Sequence, residues 1–125
     1  MTAFSKLFVV SGEQTARAVG SGDLEVLATP ALAAMIENTA KEYLKNQLKP
    51  ATTSVGIYLE LSHLKPSYVG ASIDVRLQEV TEHGTKVTYQ FEVYDGLKKI
   101  AVGQHQRAIV EIEPFLEKLL ENHNN

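Results

Sequence analysis

An α+β fold, with one long helix followed by a curved antiparallel sheet, is predicted by three observations. Thr29-Pro30 opens a run to Leu44 that contains no glycine and no further proline and has apolar residues at helical spacing. From Thr53 the apolar period changes to two. Turn residues at Leu64-Lys65-Pro66-Ser67, His83-Gly84 and Asp95-Gly96 then cut the second half into strands.

The 125 residues, 44% hydrophobic and 22% charged, supply enough apolar surface for one core, so a single domain over residues 1–125 is expected. The absence of cysteine removes disulfides, thiolate nucleophiles and cysteine metal sites, and fits a reducing, cytoplasmic compartment. With 12 Lys plus Arg against 15 Asp plus Glu the net charge is −3, which argues against nucleic acid as a partner. Lys98, Lys99 and Arg107 offer at most a local basic patch. The apolar stretch Phe4 to Val10 is interrupted by Lys6 and is too short for a signal segment or a membrane span.

In chain order, Phe4 to Val10 reads as a strand, and Gly20-Ser21-Gly22-Asp23 as a flexible corner leading to Leu24-Glu25-Val26-Leu27. At Thr29-Pro30 the threonine oxygen can cap a free amide, while proline at the first helical position loses no needed donor. Leu32, Ile36, Ala40 and Tyr43 fall on one side of the helix, with Ala33, Glu37 and Leu44 beside them, and Leu48-Lys49-Pro50 ends it. In the next strand Val55, Ile57, Leu59 and Leu61 are expected to point inward, and His63 continues their parity. Ala71, Ile73, Val75 and Leu77 alternate in a third strand, and Val87, Tyr89, Phe91 and Val93 in a fourth. The last strand, Lys99 to Glu111, carries Ala101, Gly103, His105, Arg107 and Ile109 on one parity. A short helix from Pro114 presents Phe115, Leu116, Leu119 and Leu120 as a packing face, and Asn122 to Asn125 should fray.

The outer sheet face, with Tyr58, Tyr94 and Gly103 among charges, and the open strand edges call for a second copy, so a homodimer is expected. A dimer of dimers is a further option.

Chemistry is sought where polar groups interrupt apolar patterns. Glu37 lies in Ala33-Ala34-Met35-Ile36-Glu37-Asn38-Thr39-Ala40 and is either a general base or a rim carboxylate paired with Lys41. His63 stands at a strand end next to a turn, where a site opens or a structural imidazole is held. Thr29 is either a cap or a hydroxyl placed beside free helix amides that stabilise an oxyanion. Eight residues of helix put Thr29 and Glu37 about 12 Å apart, so a reaction using both needs a substrate or second subunit between them. His105 and Arg107 form a polar stretch that either pairs with Glu37 or binds an anionic ligand. His83 and His123 read as surface residues. No phosphate loop, dinucleotide fingerprint, metalloprotease motif or serine elbow is present, so no metal is expected. A His63, His105 and Glu37 metal triad is the sole alternative.

The segments Val19-Gly20-Ser21-Gly22-Asp23, Val26-Leu27-Ala28-Thr29-Pro30 with Met35-Ile36-Glu37, Leu61-Ser62-His63-Leu64, Val69-Gly70 and Gly103-Gln104-His105-Gln106-Arg107 resemble the hot dog-fold thioesterases, in particular the fluoroacetyl-coenzyme A thioesterase-like group. The resemblance implies a homodimer that hydrolyses an acyl-CoA thioester with Thr29, Glu37 and His63 at the dimer seam. It implies substrate contacts at Val69, Gly70, His105 and Arg107 and no cofactor beyond coenzyme A as part of the substrate. Ser67-Tyr68 stands where relatives carry Thr-Pro, and no aromatic lid is identifiable, so fluoroacetate selectivity does not carry over. A non-catalytic acyl-CoA or small-ligand binding module and a hydratase or dehydratase on the same fold are the rival readings.

Overall fold

Strands form where the period-two pattern predicts them, and they close around one helix. The computed structural model describes residues 2–124. In chain order it holds β1 (Phe4–Val9), a 3₁₀ turn (Gly12–Gln14), α1 (Ala16–Val19), α2 (Thr29–Leu44), β2 (Thr52–His63), β3 (Ser72–His83), β4 (Lys86–Asp95), β5 (Lys98–Glu111) and α3 (Ile112–Asn124). The five strands make one antiparallel sheet in the order β1-β3-β4-β5-β2.

The concave side of the sheet holds α2. Leu32, Met35, Ile36, Ala40 and Leu44 from the helix meet Ile73, Val75 and Leu77 of β3 and Val87, Tyr89, Phe91 and Val93 of β4 in one core. Each such side chain contributes about 1.5–3 kcal/mol by leaving water. Tyr89 keeps its hydroxyl satisfied inside this core by donating to Ala40 O at 3.3 Å. The buried stripe runs through Met35 and Thr39, not Ala33, so Glu37 is left at the rim, half-buried.

Three register shifts bend the sheet and change which residues face inward. In β2 the shift between Gly56 and Tyr58 leaves Ile57 as the extra residue, 50% exposed. Ser54 and Gly56 therefore face inward before the bulge, while Leu59, Leu61 and His63 do so after it. The expected inward set of Val55, Ile57, Leu59 and Leu61 is corrected in its first half, because alternation counted along one strand is blind to an inserted residue. Similar shifts fall between Leu77 and Glu79 and between Val93 and Tyr94, and the second lets both Ile100 and Ala101 be buried. Gly103 faces the core with Phe91, not the outer face with Tyr58 and Tyr94.

Two other expectations are revised. The C-terminal helix begins at Ile112, two residues before Pro114, and runs to Asn124, through most of the stretch expected to fray; Asn125 lies outside the described residues. Leu116, Leu119 and Leu120 are 50–62% exposed, so this chain by itself does not cover their face. Lys98, Lys99 and Arg107 form no joint basic patch: Arg107 is buried, Lys98 donates to Pro66 O and Lys99 to Glu92. No helix among the described residues is long and apolar enough to cross a membrane.

Candidate active site

The start of α2 and the end of β2 bring Thr29 and His63 together. Ala28, not Thr29, is the helix cap, and it makes no side-chain capping hydrogen bond. The Thr29 hydroxyl is thereby free to reach across, and Thr29 Oγ1 lies 2.8 Å from His63 Nδ1. Cap geometry expected from Thr-Pro is thus replaced by a hydroxyl–imidazole pair. Leu64 N donating to Ile100 O pins the chain just after His63.

Burial lowers the pKa of His63 from the ordinary 6.5, and the nearby Lys65 backbone opposes this in part. The ring is accordingly neutral near pH 7, and we assign the hydroxyl as donor and Nδ1 as acceptor. Nε2 then carries the proton, yet it is sealed from solvent with no partner among the described residues. An orphaned buried donor costs about 1–3 kcal/mol, a cost that functional sites retain. A cavity of about 280 Å³ opens onto this pair, with Val26, Leu64, Lys65 and Pro66 in its walls. Thr29 itself is exposed to it.

A second polar cluster lies farther along the helix. An added Cβ at Gly56 would stand 2.5 Å from Glu37 Oε2, 3.4 Å from His105 Cε1 and 3.5 Å from Arg107 Nη1. Glycine suits this position because the Glu37 carboxylate, the His105 ring and the Arg107 guanidinium crowd the place of a side chain. Arg107 donates from Nε to Ser54 Oγ at 2.8 Å and from Nη2 to Ser54 O at 3.1 Å, with Nη1 3.2 Å from His105 Nε2. His105 Nδ1 sits 2.8 Å from Tyr58 O, so this histidine is a neutral Nδ1–H tautomer that accepts from Arg107. Burial pushes its pKa down.

Glu37 makes no ion pair with Lys41 or Arg107 among the described residues; Lys41 stands by Glu42 instead. Its charge nevertheless favours the protonated forms of His105 and Arg107. Of the three residues expected at the reaction centre, the chain joins Thr29 to His63 and holds Glu37 in a separate cluster with His105 and Arg107. The His63, His105 and Glu37 metal triad does not assemble among the described residues. Val69 and Gly70 lie exposed in the β2–β3 connection, where Gly70 has φ 92° and Gly70 N donates to Val10 O. Ser54, Gly56 and Ser67 escaped sequence reasoning; a glycine inside a strand pattern was the available signal for Gly56.

The model of the fluoroacetyl-CoA-specific thioesterase family, FlK, matches residues 10–113, which spans Thr29, Glu37, His63 and Arg107. The chain belongs to that family. It is thus a thioesterase by family, with the hot dog architecture. Among curated proteins it is 24% identical to the fluoroacetyl-CoA thioesterase of Streptantibioticus cattleyicolor over 95 residues, 76% of this chain and 68% of that protein. The fold is shared with a crystal structure of a phenylalanine-to-alanine mutant of the fluoroacetyl-CoA-specific thioesterase FlK (TM-score 0.89, 24% identity, 95% of this chain and 93% of that one). It is shared also with a Thermus thermophilus thioesterase superfamily member (TM-score 0.82, 24% identity, 97% and 92% covered).

Proposed function

We propose that this protein hydrolyses an acyl-CoA thioester to free acid and coenzyme A, with Thr29 as nucleophile and His63 as its base. The observation that carries the reading is the 2.8 Å contact between Thr29 Oγ1 and a neutral imidazole at the mouth of a cavity. A similar structure of the FlK mutant is a complex with fluoroacetate and CoA, which supports coenzyme A as the thiol portion. As Oγ1 attacks the thioester carbonyl, Nδ1 takes its proton; the first-turn amides of α2 face the developing oxyanion. Collapse breaks the C–S bond and the imidazolium returns the proton to the leaving thiolate. Water then cleaves the acyl-threonine by the same base. No metal or cofactor takes part in this scheme. Intact-mass measurement during turnover is expected to show Thr29 carrying the acyl group; label from heavy-oxygen water entering the acid without any such adduct at single turnover would make Thr29 a water-positioning group instead.

We place Glu37 in the same reaction across a homodimer seam. Support comes from its distance along the helix and from its place in the cluster with His105 and Arg107, apart from the Thr29–His63 pair. In that arrangement its carboxylate orients the imidazole or water belonging to the second copy. Thr29→Ala and Glu37→Ala variants, each inactive alone, are expected to regain about a quarter of wild-type activity after random mixing, since half the dimers then carry one intact site of two. A mixture as dead as its parents removes Glu37 from the partner's site.

The contact at Gly56 gives a second test of Glu37. In Gly56→Ala the new methyl displaces a flexible carboxylate, which is tolerated by the fold but misplaces the charge. A loss in kcat of about 10–100-fold is expected from misplacement on this scale, with melting temperature lowered only slightly. Thiol release by the variant at the wild-type rate would detach the Glu37 cluster from catalysis.

A further inference from the structure

Arg107 is a buried cation, 7% exposed, beside a carboxylate with which it forms no ion pair among the described residues. A Cβ built on Gly56 would stand 2.5 Å from Glu37 Oε2 and 3.5 Å from Arg107 Nη1, which puts the two charges about 6 Å apart at most. Opposite charges at that separation attract, and an arginine and a carboxylate ordinarily close into contact, often through two parallel hydrogen bonds. A gap that stays open therefore needs a restraint.

Three hydrogen bonds supply it. Nε donates to Ser54 Oγ at 2.8 Å and Nη2 to Ser54 O at 3.1 Å, both on β2, while Nη1 lies 3.2 Å from Nε2 of His105 on β5. Every nitrogen of the guanidinium is engaged, so the planar fork is fixed at three points. The anchors are themselves held. Ser54 is 8% exposed on a paired strand, and the fully buried His105 has Nδ1 2.8 Å from Tyr58 O and its ring stacked on Tyr89 at 5.9 Å between centroids. Neutral acceptors thus hold a buried cation in place of the carboxylate close by, a costly arrangement that direct pairing would relieve.

We propose that Ser54 and His105 are positioning residues that tether the Arg107 guanidinium short of Glu37, leaving both carboxylate oxygens free for the reaction. This rests on the part given to Glu37 in the hydrolysis proposed above. Clasped by arginine, the carboxylate would have its oxygens turned to the guanidinium and could not orient an imidazole or a water. His105, sealed in the core with both ring nitrogens committed, acts through Arg107.

Ser54→Ala removes the Nε anchor, and His105→Phe removes the Nη1 anchor while keeping a ring against Tyr89. Thiol release is measured on acetyl-, butanoyl- and octanoyl-CoA, and the fastest is used. In each variant the freed guanidinium is expected to close on Glu37 and lower kcat by about 10–100-fold, with KM within about 2-fold. Ser54→Thr keeps the hydroxyl and should stay within about 3-fold of the wild type in kcat. Adding Arg107→Met to Ser54→Ala should raise kcat again by about 10-fold, because the group that captures Glu37 is then gone; a merely structural loss at Ser54 would not be reversed this way. A crystal structure of Ser54→Ala should show Arg107 in direct contact with Glu37. A guanidinium that keeps its wild-type place there, or a double variant no faster than Ser54→Ala, overturns the tether. Glu37→Gln separates the two failures: if it is inactive while the tether is absent, this proposal alone falls, whereas turnover by Glu37→Gln at the wild-type rate sinks the role of Glu37 on which the proposal stands.

Discussion

Replacing His63 by alanine is expected to lower kcat by about 10²–10⁴-fold, the range for removing a positioned base. The Thr29 hydroxyl keeps its place at the helix start but loses the acceptor that lies 2.8 Å away. Folding should survive, since His63 is only half-buried and its Nε2 bonds to nothing among the described residues. A melting temperature at or near the wild-type value, measured beside thiol release, separates lost chemistry from lost structure. The wild-type rate carries the companion signature. The base works only when neutral, and burial lowers its pKa, so the rate should fall on the acid side with a midpoint below 6.5. The His63→Ala protein should lose that acid limb. Residual activity within about 10-fold of wild type, with the limb intact, would remove His63 from the role of base.

Gly103→Ala is expected to be the most damaging small substitution for stability. The residue lies on β5 between Phe91 of β4 and Leu61 of β2, facing the core. An added Cβ would collide with the backbone carbonyl of Glu60 and come within 2.8 Å of the Phe91 ring, which is 2% exposed. Neither neighbour can swing away as a surface side chain would. Relief requires parting β2 from β5, so a loss of about 3 kcal/mol or more is expected, at the upper end for overpacking. For a chain of this size that lowers the melting temperature by roughly 10 °C or more. Because Glu60 lies three residues before His63 on the same strand, the surviving folded fraction should also show reduced activity. A variant melting within about 2 °C of wild type would mean that the sheet opens at this point far more easily than its packing indicates.

Much of the architecture was legible because it depends on local periodicity. The run from Thr29 to Leu44 has no breaker and forms α2 over that same span. Val87, Tyr89, Phe91 and Val93 alternate without interruption, and all four are buried. His83-Gly84 and Asp95-Gly96 supply the left-handed backbone that their turns require, with Gly84 at φ 65° and Gly96 at φ 63°. Alternation failed at the bulge in β2, where one inserted residue moved Ile57 outward and Gly56 inward. An insertion satisfies the spacing on both sides of it, so nothing in a single strand's pattern announces it.

The candidate site divides in the same way. By itself the sequence determined which residue types were available: a hydroxyl at a helix start, an imidazole at a strand end, a carboxylate amid small residues and no thiol anywhere. It also determined that Thr29 and Glu37 share a helix too rigid for them to meet, because helical rise is set by backbone geometry. Tertiary structure alone decided that Thr29 bonds to His63, 34 positions away, and not to its own helix. It alone gathered Glu37, Gly56, His105 and Arg107 into one cluster and buried Ser67 in the connection between β2 and β3. The physical reason is that rise and alternation are properties of neighbouring residues, whereas burial and hydrogen-bond partners arise only when strand register and bulges bring distant segments to the same face.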